Sequence, residues 1–179
     1  MNNQRLAIGK IAPDFSLPGV DGKNYSLQSF SQEIVVVIFS CNHCPYVQAY
    51  EDRMMALQRQ YQEKGVTLVA INANETKNYP DDTFEKMVVR AKEKGFNFPY
   101  LRDDTQKVAE AFGAHYTPEI FLLDRQRRLQ YTGKIDDNWQ APHQVKVQYL
   151  KDAIEATLAG RAVSDPETHA IGCTIKWAK

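Results

Sequence analysis

The chain has 179 residues, 43% hydrophobic and 25% charged, which is enough for one domain with a substantial core. Its 22 Lys and Arg balance its 22 Asp and Glu, so no long-range field favours nucleic acid or anionic lipid. No apolar run approaches the roughly 20 residues of a membrane helix, and the start, MNNQRLAIGKIAPDF, lacks the apolar segment of a signal peptide; a cytoplasmic location is the expectation.

After a short polar lead, IGKIAPDFSLPGVDGKNYSLQSF alternates apolar residues with the turn signals Pro18-Gly19 and Asp21-Gly22. That pattern predicts a strand or hairpin packed on the edge of a larger body. Glu33 to Ser40 is nearly continuous apolar sequence, the mark of a strand covered on both faces. The period then changes: Val47, Tyr50, Met54, Leu57 and Tyr61 form one stripe of a helix that Gly65 closes. VTLVAINAN reads as a second buried strand. Asp81 or Asp82 is placed to cap a helix carrying Phe84, Met87, Val88 and Ala91, stopped by Gly95. FPYLRD is a further short strand and TQKVAEAFG a further short helix. EIFLLD and RLQYTGKI, split by the polar RQRR, read as an antiparallel hairpin. A last helix is expected from about Gln144 to Ala159, with Val147, Leu150, Ile154 and Leu158 inward, and the tail to Lys179 has no clear period. The whole is a single α/β domain over residues 1–179: parallel strands with crossover helices, finished by an antiparallel hairpin.

Three cysteines occur: Cys41, Cys44 and Cys173. In a reducing compartment a close pair is more often catalytic or metal-binding than structural. Cys41 falls where the first buried strand ends and the helix begins, where unpaired backbone N–H groups and the helix dipole favour a thiolate. His43, between the cysteines, would add to that as an imidazolium, and Pro45 suits the first turn. The expectation is that Cys41 is the attacking thiol at the helix tip and Cys44, one turn deeper, the resolving one. A zinc site needs four ligands, and beyond this pair there remain only Cys173 and the scattered His43, His115, His143 and His169; no cofactor or metal is expected. The plain alternative is two buried thiols without chemistry. A cis Thr117-Pro118 in HYTPEIFLLD would press its loop against the helix tip and leave backbone groups free to pair with an extended substrate.

IGKIAPDFSLPGVDGKNYSL, FSCNHCPY, TPEIFLLD and the closing hairpin together resemble the thioredoxin-like superfamily. They are most similar to its redoxin branch of alkyl hydroperoxide reductase/thiol-specific antioxidant (peroxiredoxin-like) proteins, over most of residues 8–160. The resemblance implies a thioredoxin-like fold: a central mixed sheet flanked by helices, with an N-terminal hairpin extension and a C-terminal tail. It also implies thiol-disulfide exchange or peroxide reduction, with a protein or small-molecule disulfide or a hydroperoxide as substrate and a thioredoxin- or glutathione-type electron donor. Against the peroxiredoxin motif, its cysteine matches Cys44 and its threonine Cys41, while its proline and its arginine are replaced by Val37 and Pro118. Against thioredoxin, the tryptophan before the first cysteine is Ser40 and the buried aspartate is Val35.

The leading expectation is therefore a thiol-disulfide oxidoreductase working through a mixed disulfide, with Thr117 and Pro118 shaping the substrate groove. Glu119 or a water would accept the proton of Cys44. The Asn42-His43 dipeptide resembles that of strongly oxidising members, implying a potential above thioredoxin's roughly −270 mV. A thiol-dependent peroxidase is the runner-up, and a non-enzymatic zinc-binding or interaction module the third reading. Cys173 is either a packed small residue or a third redox cysteine on a tail that swings to the pair. Asp136 and Asp137 read as a solvated turn, and Trp139 and Trp177 as packing residues.

Overall fold

The computed structural model of the chain describes residues 4–179; the first three residues of the polar lead lie outside them. The N-terminal hairpin pairs β1 (Ser16–Pro18) with β2 (Asn24–Ser26). Next comes β3 (Ile34–Ser40), all seven residues buried, leading directly to the cysteine loop and α1 (Pro45–Tyr61). β4 (Val66–Asn72) follows, again buried throughout, then α2 (Phe84–Lys94), β5 (Tyr100–Arg102) and α3 (Lys107–Phe112). The remaining elements are β6 (Tyr116–Thr117), β7 (Glu119–Leu123), β8 (Leu129–Gly133), α4 (Tyr149–Leu158) and β9 (Cys173–Thr174).

The central sheet has the order β5-β4-β3-β7-β8. β3, β4 and β5 run parallel, and β7 and β8 are antiparallel to their neighbours, the mixed sheet of a thioredoxin-like fold. Because successive strand residues point to opposite faces, β3 feeds two cores. Ile34, Val36 and Ile38 meet α1, α2 and α4 through Tyr50, Met54, Met87, Leu150 and Ile154. Val35, Val37 and Phe39 meet the N-terminal hairpin and α3 through Leu17, Phe30 and Phe112, joined there by Ile175 of the tail. The continuous apolar runs of the parallel strands thus reflect burial on both sides.

Three boundaries differ from expectation. Thr83, not Asp81 or Asp82, precedes α2, and Asp82 turns inward in a short 3-10 turn; Val88 on that helix is exposed. The last helix begins at Tyr149, five residues after Gln144, since Val147 is held outside it by an Asp137 N–H bond to its carbonyl. The aperiodic tail adds strand β9, antiparallel to β6 with Thr117 opposite Cys173.

Candidate active site

The cysteine loop is set by β3 on one side and by a buried polar cluster beneath. Asp82 Oδ1 accepts the Asn42 backbone N–H at 2.7 Å and the Asn72 side-chain amide at 3.0 Å, while its Oδ2 accepts from Asn74 at 3.0 Å. Tyr100 donates its hydroxyl to Asn42 Oδ1 at 2.7 Å, and Asn42 Nδ2 donates to the Asp81 carbonyl at 2.9 Å. Buried this way, the carboxyl group is satisfied by hydrogen-bond donors. From sequence Asp82 is only one of two candidate helix caps, Asn42 counts only through its dipeptide with His43, and Asn72, Asn74 and Tyr100 have no assigned part. The one visible signal was the asparagine alternation at the end of VTLVAINAN, polar side chains where a buried strand should be apolar.

Helix α1 begins at Pro45, so Cys44 rather than Cys41 is its N-cap, and the Gln48 N–H to Cys44 carbonyl bond opens the helix at 2.9 Å. This corrects the expectation that Cys41 lies at the tip with Cys44 a turn deeper. Both sulfurs are inside: Cys41 is 3% exposed and Cys44 0%. Cys44 Sγ lies 3.4 Å from the Thr117 carbonyl and, as a thiol, donates to it; Cys41 Sγ lies 3.5 Å from Thr117 Oγ1. The Thr117–Pro118 peptide is cis.

The two thiols have opposite proton affinities. Cys44 is pushed well down, first by a hydrogen bond from Cys41, then, against burial, by the Cys173 thiol and the backbone N–H groups of Val47 and Cys173. Cys41 is pushed far up, first by that same bond to Cys44, then by burial and by the Asp82 charge, with the Thr117 hydroxyl opposing. Cys173 is raised to about 11 by burial and by its bond to Cys44. The Thr117 carbonyl works against a Cys44 anion, but the donors outnumber it. These directions, with Cys44 at the start of α1, favour Cys44 over Cys41 as the thiolate of the reduced site.

Three expected roles change. His43 is exposed and its Nδ1 stands 3.8 Å from Asp81 Oδ2; it sits at the rim, and a surface ion pair of that length is worth little. No hydrogen bond joins it to either sulfur among the described residues. Glu119 is fully buried, but Arg5 Nη2 lies 2.9 Å from its Oε1, and its Oε2 accepts the His115 and Tyr116 N–H groups at 2.6 and 2.9 Å. Its carboxyl group straps the loop before Pro118, and no hydrogen bond joins it to either sulfur among the described residues. The backbone of Thr117 is not free for a substrate either, because β9 already pairs with it. Asp136, expected in a solvated turn, is buried and accepts from Tyr50 at 2.7 Å and Arg53 at 2.8 Å, whereas Asp137 is exposed. Trp139 stacks at a tilt on Tyr46 beside the cysteines, at 4.3 Å between ring centres.

A cavity of about 250 Å³ is lined by all three cysteines together with Asn74, Tyr79, Asp82 and Lys176. Among the described residues no group of three or more His, Cys, Asp or Glu side chains is arranged to hold a metal ion, and no helix is long and apolar enough to cross a membrane.

Residues 8–132 match the AhpC/TSA family. The chain belongs to that family. It is 30% identical to thiol-disulfide oxidoreductase ResA of Bacillus thuringiensis strain Al Hakam over 124 residues, 69% of this chain and 68% of the relative. The crystal structure of an uncharacterized conserved protein from Geobacillus kaustophilus is 38% identical and superposes with a TM-score of 0.91 over 98% of this chain and 94% of the other. That likeness reaches past residue 132, where the family match ends, into the tail. A thiol:disulfide interchange protein of the thioredoxin family from Chlorobium tepidum TLS shares the fold, with a TM-score of 0.65 at 22% identity over 85% of this chain and 98% of the other. The AhpC/TSA chain is thus an oxidoreductase of thioredoxin-like fold with a Cys-x-x-Cys pair at the start of α1.

Proposed function

We propose that this thiol-disulfide oxidoreductase works from Cys44, with Cys41 as the resolving thiol. The Cys44 thiolate attacks one sulfur of a substrate disulfide. A Cys44–substrate bond forms, the substrate S–S bond breaks, and the electron pair leaves with the second substrate sulfur. Cys41, a thiol at rest, then gives its proton to solvent and attacks Cys44 Sγ. The Cys41–Cys44 disulfide closes and the first substrate sulfur departs as a thiolate. A thioredoxin- or glutathione-type donor in the cytoplasm returns the pair to dithiol.

The observation that carries this order is the joint arrangement of the sulfurs. Cys44 caps α1, where unpaired backbone N–H groups favour a thiolate, and its proton affinity is lowered while that of the neighbouring Cys41 is raised. The roles are the reverse of those expected from sequence. Trapping tests them: Cys41→Ser should accumulate a mixed disulfide on Cys44 with a peptide disulfide, whereas Cys44→Ser should react slowly. Faster capture on Cys41 in the Cys44→Ser variant would restore the other order. Disulfides are the substrate class that the name of the Bacillus relative states. Peroxide reduction is the weaker reading, since Val37 and Pro118 stand in place of the proline and arginine of the peroxiredoxin motif.

A further inference from the structure

Cys173 is fixed in place beside the pair. Its residue pairs with Thr117 across β6 and β9, and its side chain packs on the cluster of Cys41, Cys44 and Val47. Gly172 runs so close to Thr117 that a Cβ there would lie 2.1 Å from the Thr117 carbonyl oxygen. Beyond it, the Ile175 N–H donates to the His115 carbonyl at 2.8 Å, and the Lys176 N–H donates to Asn74 Oδ1 at 2.9 Å. The Lys176 carbonyl accepts from Gln106 Nε2, and the Ala178 N–H donates to Gln106 Oε1, both at 2.8 Å. The expected swinging tail is thus a docked one. An extended segment carrying a cysteine against an active-site sulfur, paired by its backbone to an adjacent strand, is how a peptide substrate would be bound by strand addition.

We propose that the C-terminal strand is an internal substrate, and that Cys173 exchanges into the Cys41–Cys44 disulfide at Cys44. The proposal rests on the reading of Cys41 and Cys44 as a redox pair. Cys173, after losing its proton to solvent, attacks Cys44 Sγ; the Cys44–Cys173 bond forms and the Cys41–Cys44 bond breaks with its electron pair on Cys41, which takes up a proton. One disulfide is exchanged for another, so no oxidant is consumed. Held by the strand, Cys173 meets Cys44 at an effective concentration on the order of millimolar or more. The enzyme then stores its oxidising equivalent on the tail and presents Cys41 reduced.

The test uses the full chain, as wild type, Cys41→Ser, and Cys41→Ser with Gly172→Ala. Each is reduced, treated with glutathione disulfide, quenched with acid, alkylated and mapped by mass spectrometry, while turnover of a peptide disulfide by the wild type is followed in parallel. In Cys41→Ser the glutathione first captured by Cys44 should be expelled, leaving a Cys44–Cys173 bridge within one chain. Gly172→Ala should slow that expulsion at least tenfold, a factor worth about 1.4 kcal/mol of lost docking. A lasting Cys44–glutathione adduct with Cys173 alkylated in Cys41→Ser, while the wild type forms a Cys41–Cys44 bridge and turns over, overturns the internal substrate and leaves the proposed function standing. No bridge and no turnover in the wild type overturns both.

Discussion

Consider titrating the redox potential of the Cys41–Cys44 couple against pH. The Cys44 thiol is lowered to about 4, led by the hydrogen bond from Cys41, whereas a thioredoxin thiol lies near 7. At pH 7 the difference favours the reduced form by roughly 4 kcal/mol, at about 1.4 kcal/mol per unit. For a two-electron couple this is roughly 80 mV, placing the potential near −190 mV against thioredoxin's −270 mV. The sign follows from proton counting. A depressed thiol is ionised in the reduced protein above its own pKa, so between about pH 4 and 9 reduction takes up one proton, not two. The potential should then fall by about 30 mV per pH unit, steepening to about 59 mV below pH 4. By the same linkage the folding stability of the reduced protein rises with pH above 4, toward the range of a free thiol, and is lost as pH falls through 4. Equilibration with glutathione buffers, read by alkylation and mass, measures both quantities. A potential at or below −270 mV with the two-proton slope at neutral pH would refute the placement of charge on Cys44.

Four further outcomes are expected. Asp82→Asn sets an amide against the donors Asn42, Asn72 and Asn74 and should cost about 2–3 kcal/mol in urea unfolding; with the charge gone, pH-dependent alkylation should show Cys41 more acidic than in the wild type. Glu119→Ala strands the His115 and Tyr116 N–H groups and should cost about 1–3 kcal/mol, read by thermal unfolding of the reduced protein. His43→Ala removes a rim side chain that touches neither sulfur, so the thiolate titration should not move; a changed rate with a peptide disulfide alone would mark His43 as a substrate contact. Gly133→Ala, at φ +140° with a Cβ 2.0 Å from Thr168 Oγ1, should destabilise by more than about 1 kcal/mol in the same unfolding assay.

The strands and helices were legible because their periods are enforced by burial. The all-apolar β3 and β4 and the stripe from Val47 to Tyr61 each match a buried face. The start of α1 was misjudged because spacing alone does not distinguish a cysteine inside the first turn from one capping it; the extended backbone of Cys44 and Pro45 at the first helical position decide it. Local signals also overstated α4, where Val147 has apolar character but is tied to Asp137 from outside the helix. The polar cluster around Asp82 and the contacts of Glu119 with Arg5 and with the amides of its own loop arise from convergence in space, which no periodicity encodes. Cys173 could be named from sequence as a third thiol, but a two-residue strand in an aperiodic tail leaves no pattern to place it.

The docked strand β9 ties completion of the site to the order of synthesis. The sulfur neighbourhood draws on residue 41 and on residue 173, so the centre cannot be assembled until the chain has emerged from the ribosome through residue 173. Until then Cys41 and Cys44 lack the packing of Cys173 and the strand pairing beside Thr117 that complete their surroundings.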